Sequence, residues 1–199
     1  MTVGIDFDNT IVSYDQLFYR VALENGHVPA DCPVRKEAVR DFLHKAGAED
    51  VWTELQGTVY GSRMGEAFAF AGSLETIASL KGAGHRVLII SHKTRYPFLG
   101  PRHDLHAAAR QWLETQGFFD PQGLGFRPAD IFFELTKEEK LARIAHEACT
   151  HFIDDLPEIL DHPLFPSNVA KLLFAPGNGV AEGSLPQASS WSEIHAWLT

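Results

Sequence analysis

Apolar residues fall into short unbroken runs along the 199-residue chain. TVGIDF (2–7), RVLIIS (86–91), HFIDD (151–155) and AKLLFA (170–175) show little polar alternation, and DIFFE (130–134) is a weaker run of the same kind. Continuous apolar character suits strands covered by helices on both faces. Between these runs, apolar positions return at helical spacing. SLETIASLKGAG (73–84) sets Leu74, Ile77, Ala78 and Leu80 on one side and closes on glycines. HDLHAAARQWLETQG (103–117) repeats at Leu105, Ala109, Trp112 and Leu113 and stops at Gly117. TKEEKLARIAHEA (136–148) opens with Thr136 and places Glu139 three residues on, a capping-box signature. SSWSEIHAWL (189–198) reads as the last helix. Strands alternating with helices predict an α/β fold with a Rossmann-like, doubly wound parallel sheet.

Residues 14–72 break that rhythm. YDQLFYRVALENG, PVRKEAVRDFLHKAG and AEDVWTELQGTVYG are helical in pattern, with no convincing strand among them. Pro33 suits a first helical turn, and Val34, Ala38, Phe42 and Ala46 recur every four residues as an apolar face. The expected organisation is a core of residues 1–13 and 73–199, with a small helical subdomain of residues 14–72 inserted after the first strand.

Composition narrows the function. A hydrophobic content of 45% is enough for one well-buried core. Acidic residues outnumber basic ones, 26 to 17, for a formal charge of −9. That balance argues against a groove tracking a nucleic-acid polymer, which needs clustered lysine and arginine. A small phosphorylated molecule stays compatible, because a bound cation can reverse the local field. The two cysteines, Cys32 and Cys149, lack metal-ligand spacing, and such sparse usage fits a reducing, cytoplasmic setting. The chain enters VGIDFDN at once, leaving no room for a leader, and no apolar run approaches the ~20 residues of a membrane span. A soluble monomer or homodimer without membrane partners is expected.

The chemistry concentrates where strands end. Ligands of parallel sheets collect outside the carboxyl ends of the strands. Asp6 and Asp8 follow the first strand, Ser91 ends the second, and Asp154 and Asp155 end another. Lys137 and Lys140 begin a helix that can overlook the same rim. Several carboxylates in one small site need a cation, and oxygen-only ligation with room for water suits Mg²⁺. As a nearer alternative, strand-end aspartates cap turns, and either lysine can be a solvated surface charge.

IDFDNTIV, VLIISHKT, LTKEEKLARI and HFIDDLPEIL, in that order, resemble the motifs of the haloacid dehalogenase (HAD) superfamily, in its branch of aspartate-nucleophile phosphatases with a small helical cap. The resemblance spans roughly residues 2 to 160. It implies that Asp6 attacks phosphorus and that Asp8 protonates the leaving alcohol, then deprotonates water. Ser91 would donate to a phosphoryl oxygen, and Lys137 or Lys140 would neutralise charge. By the same resemblance the metal, Mg²⁺, would be held by Asp6, Asp8 through its carbonyl, Asp155, and Asp154 as a second ligand or outer partner. Thr10 and His92 are further candidates for substrate binding. The insertion falls where this branch carries its cap, so Phe18, Tyr19, Arg20, Trp52, Tyr60, Arg63, Phe68 and Phe70 are candidate contacts, with most of the aromatics expected to be core. Arg63, in the glycine-flanked YGSRMGE, is a candidate cation facing the active site. In SHKTRYPFLGPRHDLH, His92, Lys93, Arg95 and His103 are candidates for a second anionic group, with a plain solvated loop as the equal alternative. The implied activity is Mg²⁺-dependent hydrolysis of a phosphate monoester of a small metabolite, a nucleoside monophosphate or a sugar phosphate. The alternatives are phosphotransfer or dehalogenation on the same scaffold, or a non-catalytic module that binds phosphorylated ligands.

Overall fold

The computed structural model describes residues 1–177 and 185–199. In chain order the elements are β1 (Thr2–Ile5), β2 (Val12–Ser13), α1 (Asp15–Glu24), α2 (Lys36–Lys45), α3 (Glu49–Tyr60), β3 (Phe68–Ala69), α4 (Ser73–Gly82) and β4 (Arg86–His92). They continue as α5 (Leu105–Thr115), β5 (Ile131–Glu134), α6 (Lys137–His146), β6 (His151–Asp154), α7 (Pro157–Leu160), β7 (Ala170–Phe174), β8 (Gln187–Ala188) and α8 (Trp191–Leu198). Six strands form one parallel sheet in the order β5-β4-β1-β6-β7-β8. The first strand therefore sits inside the sheet, with Ile5 opposite Ile89 on one side and Ile153 on the other. This is the Rossmann-like arrangement that the unbroken apolar runs predict.

The chain divides into two compact units. One comprises Met1–Val12, Ala69–Lys93 and Gly117–Thr199; the other comprises Ser13–Phe68 and Thr94–Gln116. In the sheet unit, Val3 and Ile5 are fully buried, and Leu88, Ile90, Leu141, Ile144 and Phe152 join one core cluster. Gly4 is required there: a Cβ on it would lie 2.6 Å from the Phe152 ring. Among the described residues no helix is long and apolar enough to cross a membrane.

The helical unit is built on α1, α2, α3 and α5. Phe18 and Trp52 stack with ring centroids 4.9 Å apart, and the Tyr14 hydroxyl donates to the Met64 sulfur at 3.3 Å. Two features differ from the sequence reading. Residues 94–116, grouped by strand–helix alternation with the core, cluster with the inserted helices: buried Trp112 of α5 donates its indole N–H to the Ala67 carbonyl at 2.9 Å. Helix α2 also begins later than Pro33 and buries Val39 and Leu43, while Val34 and Phe42 are exposed. The four-residue recurrence marked the wrong stripe, because Val34 precedes the helix and Ala46 is its C-cap. Among residues inside α2, the i, i+4 pair Val39 and Leu43 is the one that packs.

Candidate active site

Chain direction and pairing set the site. β1 ends at Ile5, and the Asp6 amide continues the ladder by donating to the Ile153 carbonyl at 2.9 Å. Asp6 is thereby carried beside the end of β6, where Asp154 is fully buried. Beyond Asp6 the chain curls: the Ile11 and Val12 amides both donate to the Phe7 carbonyl at 3.1 Å, and Asn9 takes a left-handed φ of 58°. Asparagine tolerates that conformation better than most residues.

Helix α6 closes the site. Thr136 accepts the Glu139 amide and Glu139 accepts the Thr136 amide, so the expected capping box starts the helix. One turn in, Lys140 is buried, its Nζ 2.6 Å from Asp6 Oδ1 and 2.6 Å from Asp154 Oδ2. Lys137 instead reaches Glu158 at 2.6 Å on the exposed side. Of the two lysines left open by sequence, the structure brings Lys140 to the carboxylates. By helical angle alone Lys137 lies nearer the side of Leu141, Ile144 and Ala148, yet side chains on a helix lean toward its N-terminus. From the first position of α6 that lean carries Lys137 past the helix start. From Lys140 it points back over the first turn.

Asp6, Asp154 and Asp155 each offer one carboxylate oxygen within 4.8 Å of the others. Asp154 also accepts the Leu156 amide at 3.0 Å, so it orders the turn after β6 as well as holding Lys140. Asp155 is half-buried. Burial raises the Asp6 carboxyl well above the usual range, and neighbouring Asp154 adds to this while Lys140 opposes it. Burial works against the charge on Lys140, but Asp154 and Asp6 outweigh it and hold its pKa above the ordinary lysine value.

Lys93 carries the second cation. Its Nζ lies 3.0 and 2.8 Å from the two oxygens of Asp8, and the lysine is buried. Asp6, Asp8, Asp154 and Asp155 against Lys93 and Lys140 leave an excess of two negative charges when all are ionised. An all-oxygen donor set with that excess fits a hard divalent ion such as Mg²⁺, which accepts carboxylates and retains waters.

Two hydroxyls belong to the same segments, Ser91 to β4 and Thr10 to the loop that follows β1. Ser91 Oγ and Thr10 Oγ1 are buried with no hydrogen-bond partner. Such groups in native proteins call for an explanation, and Ser73 Oγ at the start of α4 is a third of the same kind among the described residues. His92 Nε2 sits 3.1 Å from the Leu135 carbonyl, and burial lowers the pKa of its ring. Arg63, expected to be offered to substrate, is held in the helical unit by Glu24 at 2.8 Å and by Glu66. Its neighbours there are spoken for too: Arg20 pairs with Glu66, and Tyr19 donates to the Ala30 carbonyl. Lys93, read as a contact for a second anionic group, is bound to Asp8 instead. The strand's own period could have shown this, since Lys93 shares a side with Ser91, two residues back, and a cation on a buried side needs a carboxylate.

No family model matches the sequence, and no curated protein matches it. Solved structures do. Over 99% of this chain and 97% of the other, it superposes on Mycobacterium tuberculosis Protein Tyrosine Kinase A (PtkA) with a TM-score of 0.67 at 18% identity. A HAD family hydrolase from Deinococcus radiodurans R1, with bound phosphate and sodium, gives 0.59 at 16% identity over 99% and 94% of the two chains. YfnB from Bacillus subtilis, described as a HAD-hydrolase and bound to magnesium, gives 0.60 at 14% identity over 100% and 98%. At these identities the likeness establishes the fold.

Proposed function

We propose that this chain, built on the haloacid dehalogenase fold, is a Mg²⁺-dependent phosphohydrolase that cleaves phosphate monoesters of small metabolites through an aspartyl-phosphate. The observation that carries the reading is the buried bridge in which Lys140 lies 2.6 Å from both Asp6 and Asp154, with Asp155 alongside. Lys140 occupies Oδ1 of Asp6, which leaves Oδ2 to attack phosphorus. The bond from phosphorus to the ester oxygen breaks, and Asp8 gives that oxygen its proton. Asp8 then takes a proton from water, which attacks phosphorus and releases inorganic phosphate and Asp6. Asp8 must leave Lys93 to meet the substrate, since both its oxygens are engaged there. The unpartnered hydroxyls of Ser91 and Thr10 would donate to phosphoryl oxygens. Asp6, Asp155 and the Asp8 carbonyl would hold Mg²⁺, with Asp154 assisting. When bound, the ion neutralises charge on the phosphoryl group.

The test is turnover of p-nitrophenyl phosphate, then of a panel of nucleoside monophosphates and sugar phosphates, with Mg²⁺ and after EDTA. Asp6→Asn should lower kcat by at least ~10³-fold while the circular-dichroism melt stays near wild type. Undiminished turnover in that variant removes Asp6 from the mechanism, and full activity after chelation removes the ion. The Mycobacterium neighbour, named a tyrosine kinase, favours a second reading in which an alcohol replaces water as acceptor. Phosphate passed to an added alcohol in preference to water would select it. Halide release without Mg²⁺ would select dehalogenation instead, and tight binding of phosphorylated metabolites without turnover would select a binding module.

A further inference from the structure

The loop bearing Asp6 and Asp8 is tied to the far end of the chain. Trp191, the first residue of α8, is almost fully buried, and its indole N–H donates to the Thr10 carbonyl at 3.0 Å, 181 residues away in sequence. The tryptophan is itself held from three sides. Its carbonyl accepts the Thr76 hydroxyl of α4 at 3.4 Å. Its ring lies 6.2 Å from that of Phe174 at the end of β7. Its Cβ lies 3.3 Å from where a side chain on Gly72 would begin. The next carbonyl of the loop, Ile11, accepts the Phe70 amide at 2.8 Å. Thr10 is thus fixed through its backbone, while its buried hydroxyl is left without a partner.

We propose that Trp191 is a positioning residue for the nucleophile loop: its indole N–H fixes the Thr10 peptide, and with it the curl that aims Asp6, Asp8 and the Thr10 hydroxyl. The role does not depend on filling space. A phenyl ring can occupy most of the same volume but has no donor, so the buried Thr10 carbonyl would be stranded or would turn toward another donor. Either outcome loosens the curl, whose own bonds are the amides of Ile11 and Val12 to the Phe7 carbonyl.

Amide hydrogen exchange and steady-state kinetics on the full chain test this together. In Trp191→Phe, exchange at Ile11 and Val12 should quicken about tenfold relative to the global opening rate, because a local loop opening has become easier. With p-nitrophenyl phosphate and Mg²⁺, kcat should fall by about tenfold with KM within about twofold, the mark of a lost alignment in the transition state. Ile194→Val, a buried trim of the same helix away from the loop, should lower the melting temperature without either change. If Trp191→Phe does not fold, Trp191→benzothienylalanine keeps the shape and removes only the N–H, and carries the same expectations. Unchanged exchange at Ile11 and Val12 overturns the proposal, as does loosened exchange with wild-type kcat. The inference rests on the phosphatase reading only for its kinetic half. If the wild type turns over no ester, that reading fails, and the exchange result alone decides whether Trp191 holds the loop.

Discussion

Two sets of ion pairs in this molecule answer to different physics. At the sheet rim, the Lys140 side chain is 1% exposed and its partners Asp6 and Asp154 are 5% and 0% exposed. In the helical unit, Arg20 and Arg63 meet Glu24 and Glu66 with side chains between 28% and 46% exposed. Removing an ion from water costs several kcal/mol, and a well-packed apolar set at the same place is often as stable or more so. The rim pairs are therefore poor candidates for a stabilising device, and their geometry is better explained by the chemistry they can support. The exposed network faces no such cost and gains little from pairing. Both regions are charged, but in only one does the charge need a reason.

The comparison breaks most visibly at Lys140. Lys140→Met leaves Asp6 and Asp154 buried without their cation, which by analogy with other broken buried pairs should cost about 3–5 kcal/mol in urea unfolding. Loss of a preorganised cation should also lower kcat by about 10²–10³-fold or more in whatever fraction remains folded. A variant as stable as wild type would mean that the rim carboxylates relax by protonation or hydration, and the contrast between the two regions would lose its basis.

Ser91→Ala sharpens the same contrast without touching a charge. Ser91 Oγ is buried and makes no hydrogen bond, so its removal takes nothing from the folded protein and relieves an unsatisfied group. Stability should hold or rise slightly. Turnover should fall about 10–10²-fold if the hydroxyl donates to the phosphoryl group, somewhat less than for an oxyanion-hole donor. Equal kcat in the two proteins would return Ser91 to the role of a small core residue.

These differences also set what could be read before the fold was known. The gathering of Asp6, Ser91, Asp154 and Asp155 was legible because each is a polar residue where an apolar run stops, and parallel-strand topology carries such ends to one edge. The strands themselves were legible through their lack of alternation. Lys140 could not be separated from Lys137, because helical angle ignores the lean of side chains toward the N-terminus. Trp191 had no local signal at all, since its partner is a backbone carbonyl with no side-chain signature. In the helical unit the aromatic residues Phe18 and Trp52 reveal packing, but nothing in their spacing says which surface they build. The grouping of residues 94–116 with the inserted helices was hidden for a related reason: α5 has the buried spacing of a sheet-covering helix, and only its contacts, such as Trp112 with Ala67, tell where it packs.

The smallest expected effect belongs to the exposed network. Arg63 pairs with both Glu24 and Glu66, and its pKa is raised chiefly by hydrogen bonds to those carboxylates. Its side chain is 28% exposed, however, and those of its partners are 46% and 40%. Water and salt screen the attraction, so Arg63→Gln should change unfolding free energy by no more than about 1 kcal/mol, and the change should shrink as ionic strength rises past about 0.5 M. Glutamine keeps a donor for one glutamate, so what is lost is mainly Coulombic. A loss of 3 kcal/mol or more, insensitive to salt, would put this network in the same class as the Lys140 bridge. The helical unit would then also hold a charge whose position demands a functional reason, and Arg63 would be the residue to ask about.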